Sequence, residues 1–234
     1  MTPFATPFFD AARLLVQAMW FSDVHETFFY HGQALVWRHH GLGMLQAEFS
    51  EELRVHVWHP SLVVPGMAWP RCVHDHRFDL VSAVVVGTVL DVPCRVSEGS
   101  WWLGPKPPLP DSENVHVHEI KHAKVQFADG PHATATQPVI MKGTLTRCET
   151  VPYGAGAEYS VSKREFHTTR VEELAITVVH RSNSDSEERP ARVLCAPDAD
   201  VSAVSGIVRD ETLEHRVTVN YVLGQAAVAI SRLS

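Results

Sequence analysis

The stretch His74-Asp75-His76-Arg77-Phe78-Asp79, followed by the apolar run Leu80 to Val86 and then Gly87, constrains this chain more than any other. In an extended segment side chains repeat every second residue, so His74 and His76 point to the same face. Two imidazoles held that way can take adjacent corners of one transition-metal site. The run behind them is β-branched and apolar, which suits a buried strand leading away from the pair. Gly87 then ends the run as a tight turn requires. The expectation is a metal site at the mouth of a small β-barrel.

The surrounding periodicity fits a chain of many short strands with a helix at each end. Apolar residues at Phe9, Ala12, Leu15, Val16 and Met19 predict an N-terminal helix over about 9–20, and Leu213, Val217, Tyr221 and Val222 predict a C-terminal one over about 210–232. Leu35–His39 and Met44–Phe49, either side of Gly41-Leu42-Gly43, suggest a hairpin. Leu53 to His59 alternates cleanly, with Leu53, Val55 and Val57 on one face and Arg54, His56 and Trp58 on the other. Further strands are expected over Thr88–Val96, Val115–Ile120 and Leu174–Val179, with Val125–Phe127 as a continuation. Two short strands around Gly143 are expected within Ala133–Cys148, and a turn at Gly154–Gly156. The segment Gly99–Asn114, with four prolines and Trp101-Trp102, reads as an ordered loop or lid. The reading is one domain over 1–234, its barrel core about 34–195.

Composition excludes several classes of function. A net charge of -7 argues against nucleic acid as a partner, because phosphate binding needs clustered Lys and Arg. No stretch approaches the roughly 20 apolar residues of a membrane span. The start, Met-Thr-Pro-Phe-Ala-Thr-Pro, lacks the basic region and apolar core of a signal peptide. Cys72, Cys94, Cys148 and Cys195 form no C-x-x-C pair, which is the usage of a reducing, cytoplasmic compartment. The chain has no Walker loop, no G-x-G-x-x-G and no G-x-S-x-G.

The same residues resemble the cupin superfamily, whose first motif is G-x5-H-x-H-x3,4-E-x6-G and whose second is G-x5-P-x-G-x2-H-x3-N. His74, His76 and Gly87 are in register with the first, and Gly156 and His167 with the second. The motif glutamate falls on Leu80, so a carboxylate ligand is missing or displaced to Asp79; the opening glycine falls on Ala68. Ser162, Arg164 and Val171 stand at the Pro, Gly and Asn positions of the second motif. The resemblance spans roughly residues 50 to 180. It implies a mainly β, cupin-type barrel in which His74, His76 and His167 hold one divalent metal, with Asp79 as a candidate fourth ligand and positions left open for substrate and dioxygen.

A three-histidine set without the glutamate is similar to the thiol dioxygenases, which oxidise cysteine, cysteamine or mercaptopropionate with iron(II). The tyrosine that cysteine dioxygenases place about seventeen residues beyond the third histidine is not matched at Ser184, nor is their cross-linking cysteine at Val81. The resemblance implies a dioxygenase of a small thiol or amino-acid-like substrate, with iron(II) expected and nickel or another divalent ion as alternatives. A homodimer paired through barrel edges would fit the superfamily. Arg54 and Arg71 are candidates for gripping a substrate carboxylate, and Tyr159 for offering a hydroxyl to a bound intermediate. His116-x-His118 is the rival metal pair, whereas His39, His40, His56 and His59 read as packing or surface residues. Two rival functions stand beside the oxygenase: an isomerase or lyase using the metal as a Lewis acid, and a non-catalytic small-molecule-binding barrel.

Overall fold

The computed structural model describes residues 7–21, 28–30, 33–35, 37–40, 42–63, 73–98, 112–120, 136–185, 191–197 and 213–233. Helices α1 (Pro7–Phe21) and α2 (Leu213–Ser231) bracket fourteen described strands. In chain order these are β1 (Phe28–Tyr30), β2 (Gln33–Leu35), β3 (Arg38–His40), β4 (Met44–Glu48), β5 (Leu53–Trp58), β6 (Asp79–Val86), β7 (Thr88–Glu98), β8 (Ser112–Ile120), β9 (Thr136–Arg147), β10 (Val151–Gly154), β11 (Glu158–Val161), β12 (Phe166–Arg170), β13 (Ala175–Ser182) and β14 (Ala191–Cys195). The mainly β expectation with a helix at each end holds.

The alternation over Leu53–Trp58 sets the first sheet, in the order β11-β6-β13-β5-β4-β3. One face buries Val55 and Val57 of β5, Ala83 and Val85 of β6 and Ile176 and Val178 of β13. Both helices cover that face, α1 through Ala12 and Val16 and α2 through Val222, Ala226 and Ile230. Each fully buried Val or Ile side chain here contributes roughly 1.5–3 kcal/mol. The opposite face carries Arg54, His56 and Trp58, with Leu80, Val84, Val179 and Tyr159 in a second apolar cluster.

The second set of strands curls on itself. β7 is the long shared member: β12 pairs with its Leu90–Cys94, while β9 and then β10 pair with Cys94–Glu98 and Thr88–Asp91. From β9 the ladder runs through β8 to β14. His74 then bridges Val193 of β14 to His167 of β12, so the hydrogen-bonded circuit returns to β7. Inside it lie Val73, Val92, Val115, Val117, Leu145, Phe166 and Leu194. The segment carrying the first two histidines is therefore a structural stave and not a loose loop.

Some expectations change. Gly143 does not separate two strands; β9 runs unbroken through it. It is small for another reason, because a Cβ there would stand 2.8 Å from the Ser97 carbonyl oxygen of neighbouring β7. Leu35 pairs with Phe28 in a separate ladder, so the expected hairpin is confined to β3 and β4. β8 begins at Ser112, within the stretch read as a loop. Val125–Phe127, Trp101, Trp102 and Arg71 lie outside the described residues. Cys94, Cys148 and Cys195 are thiols, and no described helix is long and apolar enough to cross a membrane.

Candidate metal centre

His74 and His76 share a face because Val73 and Asp75, between and beside them, turn the other way. Val73 enters the closed circuit's core and Asp75 is buried against Arg192. The antiparallel bridge between His74 and His167 is held by two backbone hydrogen bonds of 3.0 Å, which places the third imidazole beside the first. The result is one group of three ligand nitrogens, all within 4.8 Å of one another, on His74, His76 and His167. Ring centroids lie 4.7, 5.0 and 5.1 Å apart.

His76 Nε2 and His167 Nε2 are 2.9 Å apart. Two nitrogens each about 2.1 Å from a shared ion and at right angles to one another stand about 3.0 Å apart. That edge of the group therefore already has the spacing of two ligands on one face of a metal ion, and three neutral imidazoles are a donor set suited to iron, nickel, copper or zinc. The group fits a divalent ion.

Sequence reasoning missed Asp91. Its Oδ1 accepts a 2.7 Å hydrogen bond from His167 Nδ1, and both groups are buried. A carboxylate only accepts, so Nδ1 carries the hydrogen and Nε2 presents its lone pair to the group. An outer partner of this kind orients an imidazole for metal binding. The signal was an aspartate inside the apolar run Val89-Leu90-Asp91-Val92, since a buried carboxylate needs a partner. Asp91→Ala is expected to weaken metal binding about 10–100-fold, and Asp91→Asn less because its amide oxygen still accepts. Competition against a chelator measures both, and equal affinities would remove Asp91 from the site.

The rest of the His-bearing stave is pinned by charge. Arg192 binds Asp75 through Nε at 2.6 Å and its backbone N–H, and lies 4.7 Å over the Phe166 ring. Arg164 pairs with Asp185 at 2.9 Å. Asp79, the candidate fourth ligand, lies outside the group: its two oxygens accept from the Lys163 N–H and from Asn183 Nδ2, both at 2.8 Å, which holds its carboxyl below the ordinary range. His116 and His118 sit on β8, also outside it. His39 is structural, its Nε2 2.7 Å from the Leu62 carbonyl oxygen.

Arg54 lies within electrostatic reach of His76, while its guanidinium holds Glu48 at 2.6 Å. Burial lowers its pKa to about 10, leaving it cationic at neutral pH. Tyr159 is buried and stacked on Tyr153 at 4.6 Å. Burial pushes its phenol up to about 12, so it keeps its proton, and it neighbours Ser82, Thr169 and Asp91. Its side-chain hydrogen bonds go to Ser82 and Thr169 and not to the histidine group.

His56 is a packing residue, as expected, its ring edge-on to Trp58 at 5.7 Å on the face of β5 turned away from the helices. It is 9% exposed, and both ring nitrogens are buried with no hydrogen-bond partner among the described residues. Leaving a buried polar group unmet costs about 1–3 kcal/mol. Burial first, and then Arg54, push its pKa well below 6.5; burial and then His74 do the same for His76. In the unfolded chain both would take up a proton near 6.5 while the folded chain refuses it, so folding stability falls as pH drops below that value. Each such group contributes about 1.4 kcal/mol per pH unit within the window. Thermal melts of the metal-free chain are expected to shift down between pH 7 and pH 5, and less so in His56→Phe; a melting temperature that rises on acidification contradicts this.

No protein-family model matches the sequence, and no curated protein matches it.

Proposed function

We propose that this chain is a cupin-type barrel and a mononuclear metal-dependent dioxygenase acting on a small thiol or amino-acid-like molecule. The observation that carries the reading is the convergence of His74, His76 and His167, with Asp91 behind the third and, among the described residues, no carboxylate joining the group. Three neutral imidazoles leave the charge of a dication uncompensated, which favours an anionic ligand such as a thiolate in the remaining positions. The backbone supports the cupin register independently. The motif glycine positions 87, 156 and 164 all have positive φ, at 73°, 90° and 67°, although position 164 is an arginine.

Iron(II) held by the three histidines would supply redox chemistry that no side chain here provides. The chain's own groups do the rest. Asp91 fixes the His167 tautomer. Phe78 stacks on His76 at 5.0 Å and carries the Arg181 guanidinium 4.8 Å over its ring, an apolar wall beside the group. Arg54 brings positive charge within electrostatic reach of His76, and Arg181 does the same for His56.

The test is oxygen uptake by the iron(II)-loaded chain with cysteine, cysteamine and 3-mercaptopropionate, and with serine as a control lacking the thiol. Consumption with at least one thiol and none with serine is the expected result. Iron bound without uptake on any thiol or amino acid would turn the reading toward Lewis-acid chemistry or simple binding.

A further inference from the structure

His56 is the one imidazole on β5, on the face turned away from the helices, and its neighbours in the sheet are engaged elsewhere. It stands opposite Gln46 on β4 and Thr177 on β13. Gln46 Nε2 donates to Glu48 Oε1 at 3.3 Å, and the Thr177 hydroxyl accepts from Trp58 Nε1 at 3.1 Å. Both His56 nitrogens are buried and without a hydrogen-bond partner among the described residues, as are Arg54 Nε and Arg181 Nε. By register the face that carries Arg54 and His56 on β5 continues through Thr177, Val179 and Arg181 of β13. Arg54, His40 and Arg181 are the groups whose charge opposes its protonation. The nearest carboxylate of β4, Glu48, is held by Arg54 and Arg38.

A neutral imidazole offers one N–H donor and one acceptor, and a site of positive potential draws an anion to the donor. We infer that His56 contacts the substrate, donating a hydrogen bond to its anionic group, and that His56, Arg54 and Arg181 together select a small organic anion. The inference deepens the oxygenase reading by naming the charge of the substrate, and rests on that reading only for where the molecule's other end goes. His56 lies outside the three-nitrogen group, so its partner is the ligand and not the metal.

The experiment uses the full chain, metal-free, and follows histidine ring signals by NMR while acetate is added, with acetamide as the uncharged counterpart. The His56 signal is assigned by its loss in His56→Phe. A saturable shift of that signal with acetate and none with acetamide is expected. His56→Phe is expected to bind acetate about tenfold more weakly or worse, as loss of a hydrogen bond to a charge implies, and to melt no lower than the native chain. His56→Gln, which keeps a donor, is expected to recover part of the affinity, and stands in if the Phe variant does not fold. An unmoved His56 signal, an equal response to acetamide, or undiminished acetate binding in the variant would overturn the inference. A chain that binds no metal yet shows the acetate response loses the oxygenase reading and keeps this subsite. One that binds metal but leaves His56 indifferent loses the subsite alone.

Discussion

Gly87→Ala is expected to destabilise the fold by roughly 3–5 kcal/mol, and Gly87→Val by more. The residue joins β6 to β7 at φ 73°, and a Cβ there would stand 2.1 Å from the Leu174 carbonyl oxygen, 3.0 Å from the Ala175 Cα and 3.1 Å from the Leu174 carbonyl carbon. All three are backbone atoms, so no side chain can rotate away. Left-handed strain accounts for about 1–3 kcal/mol and the clash for a similar amount. For a chain of this size each kcal/mol moves Tm by about 2–4 °C, so a loss of about 10 °C is expected. Three other glycines calibrate the series. Gly156, at φ 90° with nothing within 4 Å of a Cβ, bears strain alone and loses less. Gly154 has Thr88 Oγ1 at 3.8 Å and ordinary φ, so alanine is tolerated. Gly224, in α2 with open space, gains roughly 1 kcal/mol as alanine. Melting curves of the four variants check the order, and a Gly87→Ala protein melting with the native chain would show that the β6–β7 turn is not as described.

His167→Ala is expected to abolish tight metal binding, weakening it more than the hundredfold ascribed to removing an outer partner, while leaving the strand in place. The reason for separating the two effects is local. His167 contributes to β12 through its backbone, which exchanges hydrogen bonds with His74, and these survive truncation of the ring. Asp91 would then be buried without its 2.7 Å partner, costing about 1–3 kcal/mol. The double variant His167→Ala/Asp91→Ala is expected to recover part of that stability and none of the metal affinity. Metal titration and thermal melts on the three proteins separate the outcomes. Retained affinity in His167→Ala would leave His74 and His76 as an ordinary strand pair.

The histidine pair was legible because strand periodicity is local: His74-x-His76, the apolar run and Gly87 need no knowledge of distant chain. His167 came from motif register, and its arrival beside His74 required the fold. Asp91 and His56 lay in strands whose alternation was read for apolar content, and what a buried polar residue faces depends on a partner strand far away in sequence. His56 meets Thr177 and Gln46 through β13 and β4, pairings that sequence spacing does not specify. Gly143 misled for a related reason. A glycine in a strand marks either a break or a close approach, and only the Ser97 carbonyl opposite it decides. The closing of the β7–β9–β8–β14 ladder through His74 was equally out of reach, because it rests on an isolated bridge and not on a strand-length pattern.

The central claim, that these three histidines hold one divalent metal ion, is tested most directly by metal content. The native chain and a His74→Ala/His76→Ala variant would be loaded anaerobically with iron(II), stripped of loosely held ions and analysed by mass spectrometry. About one equivalent of metal in the native chain and none in the variant is the predicted result. No retained metal in either, or the same amount in both, would contradict it.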